Sequence, residues 1–256
     1  MNKQDQTPYQ RFDFTLDQGL ASRAAIGLVV LATDATIEYE WRQVMRLEGV
    51  ALYESRLYNS PEVDAVTLAA MEKDIAPATA LIRPGEKLDV VAFGCTSGAM
   101  VIGEDVVEKR IREARPEIAC TTPITAALAA MQQLKAKRIA LLTPYVRSVS
   151  DWMAQYICDR GISIQRSGSF EHGNDNEVAR IDARSIAEAA SAMAADEEVD
   201  AVFVSCTSLR VIDHIQSLEK KIGKPVLSSN QAMAWHALRL AGVPDRLPQY
   251  GRIFEH

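Results

Sequence analysis

Short apolar runs alternate along the chain with longer stretches whose apolar positions recur at helical spacing. Ile26–Leu31 (IGLVVL), Val50–Glu54, Leu88–Phe93 (LDVVAF) and Glu117–Cys120 are strand candidates, because each is short and apolar and ends at a polar stretch. The series then restarts with Arg138–Leu142 (RIALL), Ile162–Gln165, Asp200–Val204 (DAVFV) and Pro225–Leu227. Between the strands, Glu62–Ile82 has helical periodicity that Pro77 is expected to kink or split. Asn176–Met193 is a second helix candidate, and Pro123 opens a third after the potential caps Thr121 and Thr122. Strand and helix in alternation predict an α/β fold with parallel sheets covered on both faces.

The pattern is also a repeat. LDVVAFGCTS (Leu88–Ser97) aligns with VDAVFVSCTS (Val199–Ser208), and ACTTP (Ala119–Pro123) falls where VLSSN (Val226–Asn230) falls later. Cys95 and Cys206 are 111 residues apart (206 − 95), and Ile26 and Ile139 are 113 apart (139 − 26). Such nearly equal offsets predict two similar Rossmann-like, flavodoxin-like halves, each a four-stranded parallel sheet, related by a pseudo-two-fold. Residues 20–135 form the first and 136–245 the second, with the termini free to cross over. Ligands bind beyond the carboxyl ends of parallel strands. Both cysteines directly follow apolar runs, so they are expected to face each other across a cleft between the halves.

Composition narrows the function. The 256 residues carry a net charge of −6, with 48% hydrophobic and 24% charged residues and no long basic run. A nucleic-acid partner is not expected. Met1–Gln18 is polar and lacks the apolar core of a signal peptide, and the longest apolar run, Ala24–Ala32, is too short to span a bilayer. A cytoplasmic protein with reduced thiols and no membrane contact is expected. The apolar stretch Ile124–Leu134 is a candidate for pairing subunits in a homo-oligomer.

Four cysteines are present, with no CxxC pair, no metal-ligand spacing and no phosphate-binding glycine loop. Neither a zinc-type site nor a phosphate-binding loop is therefore expected. Cys158, inside a helix candidate, and Cys120, whose counterpart in the repeat is Leu227, are expected to be packing residues. His172, His214, His236 and His256 show no ligand spacing. Cys95 and Cys206 differ by position, by symmetry and by their Thr-Ser neighbours. A thiol at a strand end, just before a helix, is favoured as thiolate by the helix N–H groups. Thr96, Ser97, Thr207 and Ser208 add neutral hydroxyl donors suited to a small carboxylate. Two opposed thiols can invert a stereocentre, one removing a proton and the other delivering one. Alternatively, one thiolate can add to an activated double bond, allow rotation and leave.

These residues resemble the aspartate/glutamate racemase superfamily, in the branch with maleate cis–trans isomerase and arylmalonate decarboxylase. The motifs are GCTS (Gly94–Ser97), CTTP (Cys120–Pro123), TPY (Thr143–Tyr145), SCTS (Ser205–Ser208), SSN (Ser228–Asn230) and YGRIF (Tyr250–Phe254). The chain is also similar to racemase-like proteins encoded with ectoine-utilisation enzymes. The resemblance implies that Cys95 is nucleophile or base and Cys206 the opposing acid or base. It further implies that Tyr145 polarises a substrate carboxylate, that Asn230 contributes a carboxylate-binding amide, and that no cofactor takes part. Two departures stand out. Maleate isomerases of the branch usually carry asparagine where this chain has Asp34, within Thr33-Asp34-Ala35-Thr36. Asp34 repels a dicarboxylate and suits a substrate ammonium, unless it simply caps the next helix. Leu209 follows Cys206-Thr207-Ser208, where glutamate racemases have histidine after Cys-Thr, so glutamate racemase is not expected.

The expectation is a cofactor-independent two-cysteine racemase or epimerase acting on a small carboxylate or amino acid, in amino-acid or ectoine catabolism. The alternative is a maleate-type cis–trans isomerase working through a covalent cysteine adduct. A decarboxylase fits less well, since those relatives keep one of the two cysteines. A non-catalytic small-molecule binding protein on the same scaffold is the second alternative.

Overall fold

The computed structural model describes residues 9–256; the reading of Met1–Gln18 falls partly outside them. The first half runs β1 (Ala24–Leu31), α1 (Ile37–Val44), β2 (Val50–Leu57), α2 (Ala65–Ala69), α3 (Glu72–Leu81), β3 (Val90–Gly94), α4 (Thr96–Ile102), α5 (Glu104–Ala114), β4 (Ala119–Thr121) and α6 (Pro123–Gln133). The second runs β5 (Arg138–Thr143), α7 (Arg147–Cys158), β6 (Ser163–Ser169), α8 (Asp175–Val178), α9 (Ala183–Ala194), β7 (Ala201–Val204), α10 (Ile215–Ile222), β8 (Val226–Ser228) and α11 (Ser229–Leu240). Two short 3-10 turns close the chain.

Two four-stranded sheets result, ordered β2-β1-β3-β4 and β6-β5-β7-β8, with every pairing parallel. The inner strands β1, β3 and β7 are buried along their whole length. That is why they stand out as unbroken apolar runs. The edge strands β2 and β6 are partly exposed and carry Glu54, Arg56, Gln165 and Arg166. They extend to Leu57 and Ser169, beyond the ends expected from apolar content, because an edge strand needs only one apolar face.

Helix boundaries differ from the expected ones for local reasons. The Glu62–Ile82 helix is two helices, broken at Ala70–Met71 rather than at Pro77, which lies inside α3. Asp64 opens α2 with a capping box, accepting from the N–H groups of Val66 and Thr67 while Thr67 Oγ1 accepts from Asp64 N. The Asn176–Met193 stretch divides likewise, with Asp182 capping α9 through Ser185 N. Thr122 caps α6, and Pro123 occupies its first turn.

Much of the apolar surface of α6 is used inside the chain, while Leu128, Ala129 and Leu134 stay partly exposed. The helix packs against α11 of the same chain, with Ile124, Ala127 and Met131 fully buried. Helix α11 follows the second sheet yet also packs on β3 and β4 of the first. It accepts the Trp41 indole N–H from α1 at the Asn230 carbonyl, 3.1 Å away. The Tyr250 hydroxyl donates to the Gln43 carbonyl, so the C-terminal tail also returns to α1. Among the described residues, no helix is long and apolar enough to cross a membrane.

Candidate active site

Cys95 directly follows β3 and is the N-cap of α4; its Sγ accepts the Gly98 N–H at 3.2 Å. Two glycines make this placement possible. A Cβ at Gly94 would stand 3.0 Å from the Val29 carbonyl oxygen and 2.9 Å from Ile37 Cδ1. A Cβ at Gly98 would stand 2.8 Å from the Cys95 sulfur and 2.5 Å from Met71 Cε. Without a side chain at 98, the sulfur rests directly over the first turn of the helix.

Cys206 occupies the matching strand end but in a different setting. No helix begins there; the chain makes turns until α10 starts at Ile215. The reason lies in the residues that follow. Leu209, Val211 and Ile212 turn into the core. The N–H groups of Val211 and Ile212 donate to Glu40 Oε1 of α1, at 2.6 and 2.8 Å. The Cys206 sulfur accepts the Ser208 N–H at 3.4 Å. The expectation that both thiols precede helices therefore holds for Cys95 alone.

Both thiols line one cavity between the halves. Its volume of ≈ 20 Å³ is room for about one water. The walls include Ser97 and Met71 from the first half and Tyr145, Asp175 and Thr207 from the second. A cover comes from the segment after β2, where Asn59, Glu62 and Leu68 line the same space. An antiparallel bridge between Glu62 and Asn174 and a hydrogen bond from Asp175 N to the Pro61 carbonyl (3.1 Å) join this cover to the second half.

Of the residues singled out from sequence, Cys95, Ser97, Tyr145, Cys206 and Thr207 meet at the cavity. Thr96 is buried away from it, donating to Ser229 Oγ at 2.9 Å. Ser208 lies one layer back and donates to Asp175 Oδ1 at 2.8 Å. Asp34 stands two residues before Thr36, the N-cap of α1, and holds the turn into that helix: its Oδ1 accepts from Thr36 N (2.7 Å) and Ile37 N (2.8 Å). Its Oδ2 is buried and has no hydrogen-bond partner. Asn230 does not offer its amide to a carboxylate. Both Nδ2 hydrogens are engaged, by Glu40 Oε2 at 2.8 Å and the Thr207 carbonyl at 2.7 Å.

Among the other cysteines, Cys158 ends α7 exposed rather than packed inside. Cys120 is half-buried, its Sγ 3.5 Å from the Ile118 carbonyl. Asp175 escaped the sequence reading altogether. Its only sequence signal is an acidic residue in the polar stretch after β6, which by itself suggests a solvated loop. No group of acidic, histidine and cysteine side chains able to hold a metal occurs among the described residues.

Burial dominates the electrostatics. It pushes the Cys95 thiol up to about 12, opposed by the Gly98 N–H and reinforced by the charge of Asp175. Cys206 is raised as well, by burial and then by Asp175, although the Tyr145 hydroxyl and the Ser208 N–H favour its thiolate. Burial also raises the Tyr145 hydroxyl well above its ordinary range. Burial thus opposes ionisation of both thiols, and what separates them is geometry: a helix N–H on Cys95, and a turn N–H on Cys206.

Two parallel α/β lobes with a cysteine from each at a shared cavity define a thiol-bearing member of the two-lobed racemase-like class. A sequence model of the arylmalonate decarboxylase family matches residues 64–254, and the chain belongs to that family. A maleate isomerase from Pseudomonas putida is 26% identical over 242 residues, covering 89% of this chain and 96% of that protein. An arylmalonate decarboxylase from Bordetella bronchiseptica is 32% identical over 138 residues, covering 53% of this chain and 58% of that protein. Among solved structures, a Nocardia farcinica maleate cis–trans isomerase superposes with a TM-score of 0.81 at 25% identity, covering 90% of this chain and 98% of that one. That structure is a cysteine-to-serine variant with a covalently bound succinylcysteine intermediate.

Proposed function

We propose that the protein is a cysteine-dependent cis–trans isomerase of small unsaturated carboxylates, acting through a transient thioether on Cys95. The observation that carries this reading is the unequal pair of thiols on one cavity: Cys95 at the N-cap of a helix with its sulfur on the Gly98 N–H, Cys206 in a turn with no helix after it. In the forward step the Cys95 thiolate bonds to one alkene carbon, and the π pair moves to the neighbouring carbon, where the substrate carboxylate delocalises it. Cys206 delivers its proton to that carbon. The former double bond is now single and rotates. Cys206 then takes a proton back, the C–S bond breaks, and both sulfurs return to their starting state.

The relatives favour this over racemisation, since maleate isomerases match over nearly their whole length and the Nocardia farcinica structure holds a thioether intermediate. Decarboxylation is less favoured because two thiols line the cavity. The hydroxyls of Ser97, Thr207 and Tyr145 are the candidate carboxylate donors. A cytoplasmic setting, a homo-oligomer, and a place in amino-acid or ectoine catabolism are proposals from sequence alone.

The test is turnover of cis-enoates in deuterated water with mass analysis of the protein. Wild type should interconvert cis and trans isomers, and Cys206→Ser should accumulate an adduct on Cys95. Cys95→Ser should lower kcat by roughly 10³-fold or more. Adduct formation that survives in Cys95→Ser would overturn the assignment, and α-deuterium exchange of a saturated substrate without alkene isomerisation would favour racemisation.

A further inference from the structure

One ionisable group at the cavity has no part in the two-thiol chemistry. Asp175, at the start of α8, is 7% exposed and lines the same space as both sulfurs. Its Oδ2 accepts from Thr33 Oγ1 at 2.6 Å, and its Oδ1 accepts from Ser208 Oγ at 2.8 Å. Asn59 Nδ2 donates to Thr33 Oγ1 at 2.7 Å, so the threonine's single hydrogen is left for Asp175. Both carboxyl oxygens thus act as acceptors, which is the hydrogen-bonding pattern of a carboxylate, and each keeps a further lone pair.

Nothing at the cavity neutralises that charge. No Lys, Arg or His lines it, and the other acidic wall residue is Glu62. A dianion placed here would meet charge of its own sign in a nearly dry site, where repulsion is weakly screened. A single carboxylate would still find neutral donors in Ser97, Thr207 and Tyr145. The cavity is therefore bipolar, with hydroxyl donors for one anionic group and a carboxylate for one cationic group.

The geometry points to Asp175 as the anchor of a cationic nitrogen on the substrate, so that the site takes a small monocarboxylate bearing an ammonium or amidinium group in preference to a dicarboxylate. This names the substrate class of the isomerase reading and rests on it for turnover, though not for binding. It also supplies an activation step. The charge of Asp175 opposes ionisation of both thiols, and a cation seated against it relieves that opposition when substrate is present.

The probes are two matched pairs. Cis-4-aminocrotonate and maleate share the cis double bond and differ in one end group; 4-aminobutyrate and succinate are their unreactive counterparts. By calorimetry, wild type should bind 4-aminobutyrate about ten-fold or more tightly than succinate. Asp175→Asn should abolish that preference, weakening the amine while leaving succinate equal or stronger. Equal or tighter binding of succinate by wild type overturns the assignment, and that comparison needs no variant to fold. A change of both ligands by the same factor in Asp175→Asn, with an unchanged melting temperature, also overturns it. Selective amine binding without isomerisation of cis-4-aminocrotonate supports the anchor and defeats the isomerase reading. Isomerisation of maleate with no preference for the amine does the reverse.

Discussion

Replacing Glu40 by glutamine should change how stability depends on pH. Glu40 lies in α1 of the first half and is 1% exposed. It accepts the N–H groups of Val211 and Ile212 and the amide of Asn230, all from the second half. Burial raises its carboxyl from 4.5 to about 7, and these donors only partly offset the shift. The folded protein therefore keeps this proton more firmly than the unfolded chain. Between pH 4.5 and 7 the unfolded state ionises first, so stability falls as pH rises through that window and levels off above it. A shift from 4.5 to about 7 corresponds to about 3 kcal/mol, at about 1.4 kcal/mol per unit. Glu40→Gln keeps an oxygen for the two backbone N–H groups and removes the titration, while its amide opposes the Asn230 amide at a cost of about 1 kcal/mol. Urea unfolding of both proteins at intervals from pH 4 to pH 8 is the assay. The wild type should lose about 3 kcal/mol relative to Glu40→Gln across that range. A difference that stays constant with pH, or that favours wild type more as pH rises, refutes the reasoning.

Gly98→Ala should lower kcat by roughly ten- to a hundred-fold, because the new Cβ falls 2.8 Å from the Cys95 sulfur; steady-state kinetics with circular dichroism checks it, and unchanged kcat refutes it. With Cys95 raised to about 12, kcat/KM in the proposed reaction should climb steadily from pH 6 to pH 9, whereas a plateau below pH 8 would show a thiolate already formed. Asp34→Asn should keep the turn into α1 and remove a buried charge whose ionisation burial opposes. Its thermal midpoint at pH 7 should equal or exceed wild type and its ligand preference should not change, so a reversal of preference in binding titrations would restore Asp34 as a substrate contact.

The eight strands were legible because the inner ones are buried on both faces and so are written as uninterrupted apolar runs. The pairing of Cys95 with Cys206 was legible for a different reason: the repeat carried it across the chain. Identical Cys-Thr-Ser triplets concealed the asymmetry between them. Whether a helix follows depends on residues further on, on Gly98 in one case and on the burial of Leu209, Val211 and Ile212 in the other. Asn230 and Asp34 looked like substrate ligands by motif, yet their atoms are held by partners distant in sequence or by the next turn of backbone. Asp175 was invisible because its place depends on a bridge between two loops more than a hundred residues apart.

The reach of α11 across to β3, β4 and α6 bears on how the chain folds. The first half finishes with α6, whose main packing partner, α11, comes from near the end of the sequence. A chain cut in the loop between α6 and β5 would leave Ile124, Ala127 and Met131 open to water in one fragment and the inner side of α11 open in the other. Neither fragment would be a finished domain, however alike the two halves are in outline. Unfolding should then be a single transition spanning both sheets, because α11 ties the half that carries Cys206 to the strands and helix that carry Cys95.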